Sequence, residues 1–173
     1  MENQLSSKSF MVNNGVILGV ASVLFALVMY ATGNLLEPHW SSSLMNAVIF
    51  IGVIFYGIKQ FKAANGGFLS WGQGVKIGVG IAVIGGLIMV IYNYIFMNFI
   101  EPDFMNQMAE VQNQVFLDQG LTEEQIEAAN EMSQSFQSPG IMAALGIVSY
   151  AIGGFIVSAI IAAIMKKTEE ETY

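Results

Sequence analysis

One histidine, thirteen Asp and Glu residues and no cysteine are what this 173-residue chain has for holding a metal or moving a proton near neutral pH. Without cysteine there are no disulfides, no thiolate metal sites and no cysteine nucleophile. The histidine, His39, follows Glu37 and Pro38, and one imidazole without a thiolate or a second histidine makes a poor zinc site. Eight of the acids crowd one segment, as Glu101, Asp103, Glu110, Asp118, Glu123, Glu124, Glu127 and Glu131, but no EF-hand spacing runs through them. The Asn65-Gly66-Gly67 stretch near Lys76 fits neither a P-loop nor a dinucleotide fingerprint. If the chain were to modify lipid at a membrane surface, Glu37, His39 and Asp103 are the acid–base groups placed for it. No serine has a histidine and carboxylate to activate it. The expectation is no catalytic residue, no metal site and no cofactor. The net charge of −7 excludes nucleic acid, whose phosphates need clustered Lys and Arg.

Four apolar stretches decide where these groups can stand. Only 11% of the chain is charged and 54% is hydrophobic, against roughly 25% charged in a soluble domain. A bilayer core about 30 Å thick takes about 20 apolar residues in a helix. Spans are predicted at about 12–35, 43–59, 75–99 and 140–165, all within a single membrane domain over 1–173. They must be helical, because hydrocarbon leaves every backbone amide to find its partner within its own segment. The first stretch is longer than a signal-peptide core and no clean small-x-small cleavage site follows it, so a retained helix is expected.

Orientation follows from the lysines, since there is no arginine. Lys8 precedes the first span, Lys59, Lys62 and Lys76 lie between the second and third, and Lys166 and Lys167 follow the fourth. Four crossings bring all six to one side, which the positive-inside rule makes the cytoplasm. Both termini are therefore expected inside, with Glu37 and the acidic segment 101–139 outside. Tyr30, Trp40, Tyr92, Tyr94 and Phe99 fall near the outer interface, and Tyr56, Phe61, Phe68 and Trp71 near the inner one. No ionisable residue lies well inside a span. Lys76 comes nearest and can snorkel to the headgroups. Asn46 and Asn93 lie toward span ends, while Ser22, Ser149 and Ser158 lie deeper, as candidates for interhelical hydrogen bonds.

Local signals divide the remainder. Asn65-Gly66-Gly67 marks a turn, and Ser70 with Gln73 has capping-box spacing, which starts the third helix near Trp71. In the acidic insert, Pro102 suits the first turn of a new helix. Phe104, Met108, Val111 and Val115 then form one apolar face. Asp118-Gln119-Gly120 breaks this helix, and Thr122 with Gln125 forms a second capping box. Ile126, Ala129, Met132 and Phe136 continue an amphipathic face, and Ser138-Pro139-Gly140 closes the insert. A helical hairpin is expected, each helix covering the other or the bilayer surface. Its acidic face favours protein over anionic lipid, which takes a basic face.

Small residues mark the helix edges. Gly15 and Gly19, then Gly74 and Gly78, make GxxxG edges for close approach, and Gly154, Ser158 and Ala162 make a third stripe. The alternative for Gly78, Gly80, Gly85 and Gly86 is a hinge or a smooth pore wall. GVILGV at 15–20 and GVKIGV at 74–79 each open a span that later reaches a Glu-Pro pair. Two duplicated hairpins would explain this, and so would coincidence.

The run GGFLSWGQGVKIGVG, a long span, and then MNFIEPDF with a polar insert resemble the Bacteroidetes membrane family called domain of unknown function 4199. The residues that carry the resemblance are Gly67, Ser70, Trp71, Gly72, Lys76, Gly78, Pro102, Asp103 and Phe104. Trp71 stands where phenylalanine is expected. The resemblance covers nearly the whole chain and implies a bacterial inner-membrane protein, with the acidic insert in the periplasm. It implies no reaction, cofactor or catalytic residue.

The fold class expected is all-α: an integral membrane four-helix bundle with an extramembrane helical hairpin between spans three and four. The function expected is non-enzymatic, through assembly or partner contact. Membrane lipid surrounds the spans, and a second copy or another membrane protein is the partner. The alternative is a small transporter or channel formed by a homo-oligomer.

Overall fold

A computed structural model describes residues 7–167, and among these the chain is helical with no strand beyond one isolated bridge. Four long helices are α1 (Ser7–Ala31), α2 (Trp40–Ala64), α3 (Trp71–Ile95) and α6 (Pro139–Met165). All four are long and apolar enough to cross a membrane, which makes this a multi-pass membrane protein. Between α3 and α6 lie a π-helical turn (Phe96–Ile100) and two shorter helices, α4 (Phe104–Asp118) and α5 (Glu123–Ser135).

The ends of the helices follow from local chemistry. Ser70 accepts from the Gln73 N–H while Gln73 accepts from the Ser70 N–H, so the capping box starts α3 at Trp71 as the spacing predicts. Thr122 and Gln125 do the same for α5. Gly66 and Gly67 take φ of 66° and 86° in the turn after α2, where a side chain would be strained. Two terminal signals act one step away from their expected place. Pro102 lies in the turn before α4, with Asp103 as the capping residue. Pro139 is not part of a closing turn but the first residue of α6, capped by Ser138.

α3 is the axis of the bundle, packing against α1, α2 and α6. Along α6 the contact is a seam of small residues: Gly74 meets Ala162, Gly78 meets Ser158, and Ala82 meets Gly154. At the next step Gly86 carries the ring of Tyr150. Along α1 the fit is small against large, with Met11 on Gly80, Ile84 on Gly15, Leu18 on Gly85 and Ile88 on Gly19. Bilayer lipid is as apolar as these side chains, so close packing has to supply what the hydrophobic effect supplies in water. Gly80, Gly85 and Gly86 are thus filled by side chains from neighbouring helices, and α3 runs unbroken through them. Because Gly15 sits level with Ile84 and not with Gly74, the two GVxxGV motifs lie at different depths.

The core gathers Leu18, Ile54, Ile58, Leu69, Ile77 and Ile81. Phe61 is buried with them, its ring edge-on to Phe10 at 5.7 Å, and so does not belong to an interfacial aromatic belt. Ser149 is exposed on the outside of α6 and makes no interhelical bond, whereas Ser158 is fully buried and donates to Phe155 and Val75 carbonyls. Large apolar side chains such as Ile17, Leu24, Val48, Ile91, Ile152 and Ile160 point away from the bundle. In water this surface would be an aggregation hazard, and in a bilayer it faces its solvent.

Candidate functional site

The nine motif residues do not converge. Gly67 through Gly78 surround the start of α3, and Pro102 through Phe104 lie past its other end. The 30-residue rod from Trp71 to Ile100 separates them by about 45 Å. Each group organises one end of the molecule.

At the lysine-rich end the motif builds a clasp. Leu69, fully buried, exchanges two backbone hydrogen bonds of 2.9 Å with Lys167 just past α6. Lys62 reaches from the end of α2 to the Met165 carbonyl at 2.7 Å, satisfying a group that the helix end leaves free. The Trp71 indole N–H donates to the Ala159 carbonyl at 3.1 Å, and the Lys167 ammonium lies 5.5 Å from the Phe68 ring centroid. Gly74 and Gly78 then admit α6 against α3, while Gly72 and Lys76 face outward. Of the motif residues at this end, Trp71 and Gly78 contact α6 directly, and Leu69, Lys62 and Lys167 beside them complete the tie to its C-terminal end.

At the acidic end a knuckle replaces the clasp. Tyr30 donates to one oxygen of Glu101 at 2.8 Å and Gln107 to the other at 3.0 Å, so one carboxylate joins α1 to α4. Phe96, nearly fully buried in the π-helical turn, takes Tyr30 edge-on at 5.1 Å and Phe104 edge-on at 5.3 Å. Asp103 accepts from Asn106 in the first turn of α4. His39 caps α2, accepting from the Ser41 N–H and leaning on Trp40. Glu37 is exposed. Among the described residues no three of His, Asp and Glu come together where they could hold a metal ion. Glu37, His39 and Asp103 therefore do not form such a group.

Beyond the knuckle, α4 and α5 touch only lightly. No residue of α4 is buried, and Ile126 is the one buried residue of α5. The expected apolar faces do form, but the two helices splay instead of covering each other. They leave a cleft of about 580 Å³ floored by Met105, Met108, Phe116, Met132 and Phe136. On the other side of the pair, Glu123, Glu127 and Glu131 recur every four residues along one edge of a second recess.

The family model described as Protein of unknown function (DUF4199) matches residues 13–167. The chain belongs to that family. The DUF4199 match takes in both ends of α3, the π-helical turn, the α4–α5 pair and the fourth long helix. Neither the curated proteins nor the solved structures offer a match. The clasp and the knuckle are thus architecture of the matched region, not additions outside it.

Two features had no sequence signal strong enough to single them out. Glu101 stood out only as half of a Glu-Pro pair, and its bonds to Tyr30 and Gln107 depend on the fold. Asn14 is almost completely buried within α1, donating to Gln60 of α2 at 3.0 Å and to its own helix at Phe10. An uncharged amide passes every screen built on ionisable groups, yet this one joins two helices inside the apolar region.

Proposed function

We propose that this DUF4199 member is a non-enzymatic protein of the bacterial inner membrane, with both termini cytoplasmic, that presents the α4–α5 pair to a protein partner in the periplasm. The open Met- and Phe-floored cleft carries the reading. A hairpin serving only as a lid would close its apolar face on itself, since leaving it in water forgoes the gain from burial. Methionine and phenylalanine in an open groove suit the apolar face of an incoming helix. Between Lys76 and Lys166 there is no basic residue, and the pair carries a row of acids. Two copies would repel through this element, so the fitting partner is basic and amphipathic.

The orientation is checked with reporter fusions. A fusion at Gly120 is expected to report periplasm and one after the C-terminal residue cytoplasm, and the reverse pattern removes the reading.

Partner contact is checked by cross-linking in native membranes, comparing wild type with a Met108→Glu, Met132→Glu double variant. Both side chains are exposed, so the fold should stand with stability within about 0.5 kcal/mol of wild type. The cross-linked adduct should fall at least tenfold, and adduct formation by wild type should weaken as salt screens the acids. Recovery of the same adduct from both proteins would sink the proposal.

A further inference from the structure

All of the buried residues of α2 lie in its second half, at Ile54, Gly57, Ile58 and Phe61. Its first two turns, up to Ala47, are mostly exposed, and Ile49 and Phe50 are the first to pack against the core. α1 and α6 do not close the gap, because each packs chiefly on α3. An open recess of about 280 Å³ results, to which all four long helices and the α1–α2 loop contribute, with Asn34, Pro38, Ser43 and Asn46 exposed along its rim.

Its polar groups descend from the loop toward the membrane centre. Asn34 stands in the loop and Ser42, Ser43 and Asn46 in the first turns of α2. Ser22 and Tyr150 form the floor. At 1.5 Å per residue, Ser22 lies about 14 Å below the end of α1 at Ala31, and Tyr150 about 16 Å below the start of α6 at Pro139. Two helices thus place the floor independently near the middle of a core about 30 Å thick.

The floor is held rigidly. The Tyr150 ring lies on Gly86, where even a methyl group would have no room, and meets Phe50 edge-on at 5.8 Å. Ser22, 5% exposed, lines the same floor. Hydroxyls at this depth have only protein or an occupant to bond with, since hydrocarbon offers neither donor nor acceptor. No Lys, His, Asp or Glu lines the cavity, so an ion would enter without a countercharge. The volume equals that of roughly nine waters at about 30 Å³ each.

We propose that this cavity is a binding site for a small uncharged solute carrying hydroxyl or amide groups, entered from the acidic end of the bundle. Tyr150 recognises the deepest polar group, Asn46, Ser42 and Ser43 the next, and the Met29 and Phe25 side chains flank its carbon frame, with Ser22 beside the Tyr150 ring as a reporter position. This goes beyond the partner-docking reading and does not depend on it.

The chain has no native cysteine, so single cysteines report access cleanly. Full-length Ser22→Cys and Ser149→Cys proteins in phospholipid nanodiscs are treated with 2-hydroxyethyl methanethiosulfonate. Ser149 is the neighbour of Tyr150 in sequence and lies at the same depth, but faces lipid. Thiols react as thiolates, which hydrocarbon does not support. Ser22→Cys should react at least a hundredfold faster than Ser149→Cys, and glycerol or acetamide should slow it at least tenfold while sucrose at equal osmolality does not. Tyr150→Phe in the Ser22→Cys background should keep the reactivity and lose the protection. Should Ser22→Cys not fold, Ala26→Cys, on the wall of the same cavity, takes its place. Equal rates at Ser22→Cys and Ser149→Cys would overturn the cavity as an aqueous site. Fast labelling that neither glycerol nor acetamide slows would overturn it as a binding site.

Discussion

Replacing Gly78 with leucine is expected to destabilise the bundle by at least about 3 kcal/mol, measured by reversible unfolding in SDS from mixed micelles. A Cβ at this position would overlap the Ser158 Cβ and stand 3.1 Å from an Ile54 methyl. Neither neighbour has a flexible end to withdraw, so even alanine must push α6 away from α3. Separation spreads along the seam, because Gly74 with Ala162 and Ala82 with Gly154 lie one turn to either side. Gly52 gives the contrast, having open space where a Cβ would go. Gly52→Ala should leave stability unchanged or raise it by up to about 1 kcal/mol, the helix-propensity difference. The pair Gly78→Ala with Ser158→Gly returns the missing volume from the opposite side. It should recover most of what Gly78→Ala alone loses, with a coupling of at least about 1 kcal/mol. A Gly78→Leu protein as stable as Gly52→Ala would mean that the seam does not hold the bundle.

The glycines were conspicuous in the sequence, but their partners were not. GxxxG spacing marks a helix face that admits a neighbour, and the physics is the same whether the neighbour brings Ala162, as at Gly74, or Ile84, as at Gly15. Which neighbour arrives depends on the order of helices around α3. Apolar length was legible for a different reason: the bilayer imposes it on each segment separately, so four spans can be counted without knowing how they pack. Capping boxes are equally local, which is why Ser70–Gln73 and Thr122–Gln125 read true. At Phe61 aromatic depth told the level but not the partner, because position along a helix says nothing of which way the ring turns. In α4 and α5 the periodicity marked the apolar faces, but coverage depends on the angle between the helices. The knuckle of Phe96, Glu101 and Tyr30 fixes only α4, from parts of the chain far apart, and leaves α5 without such a tie. The motif falls into two parts, one around the start of the third span and one after it, and α3 holds them at opposite ends.

Asn14 offers the second large effect. Its Nδ2 donates to the Gln60 Oε1 and to the Phe10 carbonyl, both at 3.0 Å, while its Oδ1 is buried without a partner. Gly57 and Ile81 pack close around it. Asn14→Leu strips Gln60 of its donor and should cost about 1–2 kcal/mol. Asn14→Leu with Gln60→Leu removes both polar groups together and should come back to within about 0.5 kcal/mol of wild type, because no buried atom is then orphaned. Asn14→Asp takes the opposite course. It keeps the shape, deletes the donor and replaces a buried amide with a carboxyl, so it should cost more than Asn14→Leu, because burial disfavours the charged form and Gln60 is still left without its donor. Reversible unfolding of the four proteins in one lipid system orders them as wild type, double leucine, Asn14→Leu and Asn14→Asp, from most to least stable. If Asn14→Leu alone matched wild type, the amide pair would contribute nothing to joining α1 and α2. The contact between those helices would then rest on the apolar packing of Phe10 against Phe61 and on the small profile of Gly57.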